Sequence, residues 1–129
     1  MPHADSATIP AGIDKAAFWA HVHEQLSHLL DGQRNWVTNL ANASSLVFNA
    51  LQAFPPFGTG ERMVNWCGHI ACDGETKSEV VCPLLLTVDG EERAIGVLDL
   101  DCLALAGFDE QDQAGLEKIA RLVVDACDW

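Results

Sequence analysis

Three segments of the chain place hydrophobic residues three or four positions apart, the spacing of one face of an α-helix. The first predicted helix begins at Asp14, a residue type that caps helices, and stops at Gly32. The second covers about 37–54 and ends at a Pro-Pro pair. The third begins with Asp109 or Asp112 as its cap. Its predicted apolar face consists of Leu116, Ile119, Ala120, Val123 and Cys127.

Two further segments, EVVCPLLLTV and RAIGVLDLDC, predict β-strands. The four residues between them open with Asp89-Gly90, a pair favoured in hairpin turns. Residues 55–78 show little periodicity, although RMVNW within them is compatible with a short strand. The order α-α-loop-β-β-α predicts an α+β fold, with helices packed on an antiparallel sheet. We expect a flexible tail over 1–13 and one domain over 14–129.

Composition narrows the class of protein. The chain has 129 residues, of which 49% are hydrophobic and 20% charged, as in a single globular domain. Its formal net charge of −12, with only seven Lys and Arg, disfavours nucleic acid and anionic membrane as partners. The N-terminus has no pattern of a secretory signal, so a cytoplasmic location is expected. Five cysteines in that compartment are expected to be thiols.

The stretch WCGHIACDGETKSE concentrates candidate chemistry. Cys67, His69 and Cys72 offer three ligands, but a structural zinc site needs four and the chain has no second cysteine pair at that spacing. We therefore expect neither a metal nor a cofactor. A Cys67–Cys72 disulfide would close a short loop, which a reducing compartment would hold only transiently. Cys72 remains, either as a reactive thiol or as an ordinary loop cysteine.

Acidic residues form a second candidate site. Alternation along the second strand places Asp99 and Asp101 on one face together with Ile95 and Val97. Glu79, at the start of the partner strand, can join them. Either this strand leaves the core and both acids are solvated, or the acids anchor an ammonium group. Beside a thiol, the second arrangement would suit an amino-acid-like ligand.

Several motifs together resemble one known family. They are NLANASSLV, NWCG, GHIACDGETKSEVVCPL, GVLDLD and FDEQDQAGLEKIA, and they resemble the free methionine-(R)-sulfoxide reductases, which are GAF-domain enzymes. The resemblance implies a GAF-like α+β domain that reduces free methionine-(R)-sulfoxide. It also implies that the Cys72 thiolate attacks the sulfoxide sulfur and becomes a sulfenic acid. A second cysteine then forms a disulfide, which thioredoxin reduces.

The resemblance also assigns the substrate residues. Glu79, Asp99 and Asp101 match the family's acids, which hold the ammonium group and help to protonate the departing oxygen. Trp66 matches a tryptophan whose indole forms an apolar wall for the methyl-thioether end of the substrate. These roles are expectations carried over from the family by position.

The chain departs from the family pattern at one place. Gly68 is both the last residue of the NWCG motif and the first residue of the GHIAC motif, which are separate in the family. Relative to the family pattern, a block of roughly fifty residues is therefore absent between Gly68 and His69. That block contains central strands of the sheet and both of the family's other redox cysteines. Cys67, Cys82, Cys102 or an external thiol would then have to resolve the sulfenic acid. Unpaired strand edges make a homodimer one expectation. The alternatives are a non-catalytic module that binds a methionine-like amino acid, or an inactive truncated isoform.

Overall fold

A computed structural model of the protein describes residues 8–69 and 76–129. Helix α1 covers Lys15–Leu30, and its cap is Asp14, whose carboxylate accepts a 2.8 Å hydrogen bond from the backbone N–H of Ala17. Helix α2 covers Trp36–Ala53 and is capped by Asn35. Both predicted helices are confirmed, and their ends differ from the prediction by one or two residues.

The segment predicted to have little regular structure begins with two short turns of helix. Helix α3 covers Pro55–Gly58, and a single 3₁₀ turn covers Gly60–Arg62. Strand β1 then covers Val64–Gly68, so the predicted short strand is present and extends to the glycine at the motif junction.

A β-hairpin follows, with strand β2 at Ser78–Val88 and strand β3 at Glu91–Cys102. Its loop has two residues, Asp89 and Gly90, with φ angles of 52° and 82°. The loop is shorter than the four residues predicted because Val88 still pairs with Glu91. Asp and Gly tolerate this left-handed backbone better than other residue types, which is why the pair occurs here. The described sheet is antiparallel, with strand order β1-β3-β2.

Helix α4 covers Glu110–Asp125. Both predicted caps take part, because Asp109 is the N-cap and Asp112 completes a capping box with it. Asp112 is completely buried and also accepts hydrogen bonds from the Trp19 indole N–H at 2.9 Å and from Lys15 Nζ at 2.8 Å. These contacts join the start of α4 to α1.

The helices cover one face of the sheet. Helix α2 packs against β1, α4 packs against β2, and α1 packs against both α2 and α4. The sheet side chains on this face are buried in the core: Val64, Cys82, Leu84, Leu98, Leu100 and Cys102. The predicted α+β class is thereby confirmed. Ile9 and Ile13, from the segment predicted to be a flexible tail, pack against the same core. Within the described ranges no helix combines the length and apolarity needed to cross a bilayer.

Candidate active site

Strand β3 separates two sets of side chains at its C-terminal end. Ile95 is an extra residue in the pairing with β2, so alternation is regular only after it. From Gly96 onward, Leu98 and Leu100 face the helices, and Asp99 and Asp101 lie on the opposite face. Asp99 has no exposed surface and Asp101 has 2%, so the acids are not solvated. The expectation that both acids are solvated is therefore wrong, whereas their role as anchors for an ammonium group stays a prediction.

Strand pairing brings a third acid to the same place. Glu79 of β2 lies directly opposite Asp101, and one carboxylate oxygen from each of Glu79, Asp99 and Asp101 lies within 4.8 Å of the others. Glu79 is exposed, whereas the other two are buried. Neither oxygen of Asp99 has a hydrogen-bond partner among the described residues. We call these three residues the acid cluster. A buried carboxylate without a partner is costly, so this arrangement favours a cationic ligand or a shared proton.

The surroundings of the acid cluster weaken the acidity of its members. Burial, and then the negative charges of Asp101 and Glu79, raise the pKa of Asp99 to about 6. Burial also raises the pKa of Asp101, although a polar contact with the Thr76 hydroxyl opposes the shift. Asp99 can therefore carry a proton close to neutral pH, which suits a group that donates a proton to a leaving oxygen.

Trp66 lies on the same side of the sheet as the acids. It pairs with Asp101 across β1 and β3, and Gly68 pairs with Asp99. The indole lies against Gly68, because a Cβ atom built on Gly68 would come within 2.8 Å of the Trp66 ring. With 37% of its surface exposed, Trp66 forms an apolar wall beside two carboxylates. The sequence motif identified Gly68 only as a junction, whereas in the structure its lack of a side chain leaves room for the indole.

His69 is the last described residue before the segment that contains Cys72. Its Nδ1 lies 2.9 Å from the carbonyl oxygen of Val97, and its Nε2 lies 3.1 Å from that of Leu40. The imidazole thus connects β3 to α2. Because both ring nitrogens face carbonyl oxygens, the ring fixes where the chain leaves β1 and is not oriented as a metal ligand.

The cysteines fall into two groups. Cys72, the predicted nucleophile, lies outside the described residues. The three cysteines predicted as resolving candidates lie in the sheet, and Cys82 and Cys102 are buried on its helix-covered face, opposite the acids. Burial, and then the charge of Glu117, raise the pKa of Cys82 to about 11. Such a thiol stays protonated at neutral pH.

Cys67 is half-buried and pairs with Leu100, on the helix side of β1. Burial and the charge of Asp99 raise the pKa of its thiol to about 12. It is therefore a weak nucleophile, although the charge of Asp99 reaches it. A resolving role for Cys67, Cys82 or Cys102 stays a prediction, which these positions do not favour.

Comparison with known proteins places this chain in a family. Free methionine-R-sulfoxide reductase of Saccharomyces cerevisiae is 31% identical, and the alignment covers 97% of this chain and 94% of the relative. The chain belongs to the free methionine-R-sulfoxide reductase family. Protein YtsP of Bacillus subtilis is 30% identical over 88% of this chain and 93% of its own length. No family model matches the chain.

Solved structures of this family and of its fold agree with the architecture. A structure described as the GAF domain superposes with a TM-score of 0.75 at 30% identity, covering 100% of this chain and 98% of that chain. Free methionine-R-sulfoxide reductase from Neisseria meningitidis, solved in complex with its substrate, gives 0.67 at 28% identity, with coverages of 93% and 94%. The predicted GAF-like fold is confirmed.

The alignments also bear on the shortened form of the chain. The alignment with the yeast reductase extends over 172 positions, although this chain has only 129 residues. A block of the reductase therefore has no counterpart here, in agreement with the expected internal deletion. Its position between Gly68 and His69 stays a prediction. In the described part of the chain, β1 and β2 are the two edge strands of the sheet.

Proposed function

We propose that the protein reduces free methionine-(R)-sulfoxide to methionine, with Cys72 as the nucleophile. The observation that carries the proposal is the acid cluster beside the Trp66 indole, in a chain of this family. A zwitterionic amino acid with an apolar thioether end matches a site with carboxylates on one side and an indole on the other. The relative from Neisseria meningitidis is described as bound to its substrate.

In the proposed reaction, the Cys72 thiolate attacks the sulfoxide sulfur and a protonated acid of the cluster protonates the oxygen. Asp99 is the preferred donor, because its raised pKa of about 6 leaves part of it protonated near neutrality. Two electrons pass from the cysteine sulfur to the sulfoxide sulfur. Methionine leaves, and the oxygen remains on Cys72 as a sulfenic acid.

Two further steps return Cys72 to its reduced state. In the first step, another thiol attacks the sulfenic acid of Cys72, a disulfide forms and water leaves. A dithiol reductant of the thioredoxin class exchanges with this disulfide and is itself oxidised. Cys82 and Cys102 are buried on the other face of the sheet, so we propose that an external thiol performs the first of these steps.

The decisive experiment is turnover of free methionine-(R)-sulfoxide by the purified chain. Thioredoxin with its reductase and NADPH is compared with dithiothreitol as the reductant. We expect turnover that is lost in Cys72→Ser and kept in Cys127→Ser, whose cysteine is buried near the C-terminus. Full activity of Cys72→Ser would exclude the mechanism.

A second candidate, a non-catalytic module that binds a methionine-like amino acid, is favoured by one observation. Cys67 and Cys82 have raised pKa values, and Cys82 and Cys102 are buried on the helix-covered face, so the redox cycle lacks an evident second thiol within the described residues. In this case methionine would raise the melting temperature without any oxidation of Cys72. Mass spectrometry of the thiol after incubation with the sulfoxide separates the two candidates.

A further inference from the structure

The acid cluster has no positively charged partner within the described residues. The ion pairs found there involve Lys15, Arg34 and Arg121, and each of these cations pairs with an acid outside the cluster. The imidazole of His69 does not serve either, because both of its nitrogens face backbone carbonyl oxygens. Three carboxylates therefore share one small volume without a counter-charge from the described part of the chain.

The burial of Asp99 separates this cluster from an ordinary patch of surface acids. Asp99 has no exposed surface, and neither of its carboxylate oxygens has a hydrogen-bond partner among the described residues. One oxygen from each of Glu79, Asp99 and Asp101 lies within 4.8 Å of the others. A buried carboxylate that faces two more acids without a hydrogen bond is costly unless a cation or a proton completes the group. The unpartnered oxygens of Asp99 thus mark the position that a cation would take.

The charge of the cluster exceeds that of the ligand in the proposed function. An α-ammonium group brings one positive charge, whereas three ionised carboxylates carry three negative charges. A divalent cation offsets more of this charge and uses the same oxygens, because carboxylates are the ligands that hard cations prefer. Glu79 is exposed, so the cluster opens to solvent on that side and an ion can enter.

The spacing of the carboxylate oxygens suits calcium better than magnesium. Ca²⁺ binds oxygens at about 2.3–2.6 Å in variable geometry, so two ligands on opposite sides of the ion lie up to about 5 Å apart. Mg²⁺ binds at about 2.0–2.1 Å, demands a near-ideal octahedron and usually takes one or two carboxylates. The paired strands β2 and β3 hold three carboxylates within the range that Ca²⁺ spans.

We propose that the acid cluster binds a divalent cation, with Ca²⁺ as the best fit, and that this ion competes with the ammonium group of the amino acid. Glu79, Asp99 and Asp101 supply the carboxylate oxygens, and water completes the coordination. The ion is an inhibitor and not a cofactor, because it occupies the position that the ammonium group needs. The competition rests on the proposed function, whereas the binding of the ion does not.

Terbium luminescence tests binding at this position, because Tb³⁺ replaces Ca²⁺ and emits when a nearby indole is excited. Trp66 pairs with Asp101 on the face that carries the acids. We expect sensitised emission from the wild-type protein, displaced by Ca²⁺ at about 0.1–1 mM. Trp66→Phe should lose most of this emission and still bind Ca²⁺ in calorimetric titration. Emission that is unchanged in Trp66→Phe would place the ion elsewhere and overturn the proposal.

Calorimetric titration with Ca²⁺ then identifies the ligands. Asp99→Asn and Glu79→Gln each remove one carboxylate of the cluster with little change of shape, and we expect each to bind Ca²⁺ at least about tenfold more weakly. The control is Asp89→Asn in the exposed hairpin turn, which should bind as wild type does. This control is needed because a chain with 19 Asp and Glu attracts cations at many places. Equal Ca²⁺ affinity in all three variants would overturn the site.

Kinetics with dithiothreitol as the reductant test the competition. At a Ca²⁺ concentration of about ten times its Kd, the KM for free methionine-(R)-sulfoxide should rise about tenfold with kcat unchanged. Asp99-dependent Ca²⁺ binding in a chain without turnover would count against the proposed function alone. Turnover without any Ca²⁺ binding would overturn the cation site alone. Asp99-dependent Ca²⁺ binding that leaves KM unchanged would overturn the competition.

Discussion

The indole ring of Trp66 lies directly against Gly68, two residues further along strand β1. A Cβ atom on Gly68 would come within 2.8 Å of the indole, closer than real Cβ contacts allow. Each of the two residues pairs with one of the buried acids, Trp66 with Asp101 and Gly68 with Asp99. The absence of a side chain at position 68 therefore leaves room for the Trp66 indole on the face that carries the carboxylates.

The substitution Gly68→Ala should displace the Trp66 ring from the acids. We expect methionine to bind about tenfold more weakly, and the free energy of unfolding to fall by about 1–2 kcal/mol. Titration calorimetry and urea unfolding measure the two effects. Gly96→Ala is a suitable control, since its Cβ would meet only Leu84 at an ordinary 3.4 Å. Equal ligand affinity in both variants would show that the indole is not held by this contact.

Local patterns predicted the elements well. Each correct prediction depended on residues that are close in sequence. The structure contains the helix caps Asp14 and Asp109, the Asp89-Gly90 turn and the apolar faces of the helices. The acid cluster was partly predictable, because alternation fixes which residues share a face of β3. Register against β2 then brings Glu79 opposite Asp101.

The remaining features depend on contacts between distant parts of the chain. Burial of Asp99 cannot be deduced from its strand, since the same alternation fits a solvated edge equally well. The two carbonyl partners of His69 come from residues 28 and 29 positions away. The extra residue at Ile95, which shifts the alternation between the two halves of β3, has no signature in the sequence.

Asp99 should make the stability of the fold depend on pH. Burial and neighbouring charges raise its pKa from the ordinary 3.8 to about 6. The protonated form is favoured in the folded state, so the stabilisation is fully present below about pH 4 and is lost as the pH rises through about 6. We expect wild-type protein to lose roughly 1–3 kcal/mol over this window.

The variant Asp99→Asn should remove most of that loss. Urea unfolding between pH 4 and 7.5 is the measurement, and Asp89→Asn in the exposed hairpin turn is the control. Asn tolerates the left-handed backbone at position 89, so the control should keep the wild-type pH profile. Parallel profiles for wild type and Asp99→Asn would contradict the prediction.

Asp112 should be essential to the junction between α1 and α4. It is completely buried and accepts hydrogen bonds from the Trp19 indole, from Lys15 and from the backbone of Asp109. Asp112→Asn keeps the shape but removes the charge that pairs with Lys15. We expect a loss of about 2–4 kcal/mol in the free energy of unfolding.

Chemical denaturation of Asp112→Asn is compared with that of Glu110→Gln, which alters an exposed acid in the same turn. The control should stay within about 0.5 kcal/mol of wild type. Similar losses in the two variants would indicate that the effect comes from charge near the helix N-terminus and not from the buried contacts.

His69 should position the segment that contains Cys72. Its ring joins the carbonyls of Val97 and Leu40 at the last described residue before that segment. His69→Ala removes both contacts without altering the acid cluster. We expect kcat/KM for free methionine-(R)-sulfoxide to fall more than tenfold, because the chain three residues before the proposed nucleophile loses its anchor. The rate of Cys72 alkylation by iodoacetamide, followed by peptide mass spectrometry, should change at the same time. His23→Ala on α1 should leave both quantities unchanged, and a wild-type kcat/KM in His69→Ala would remove the positioning role.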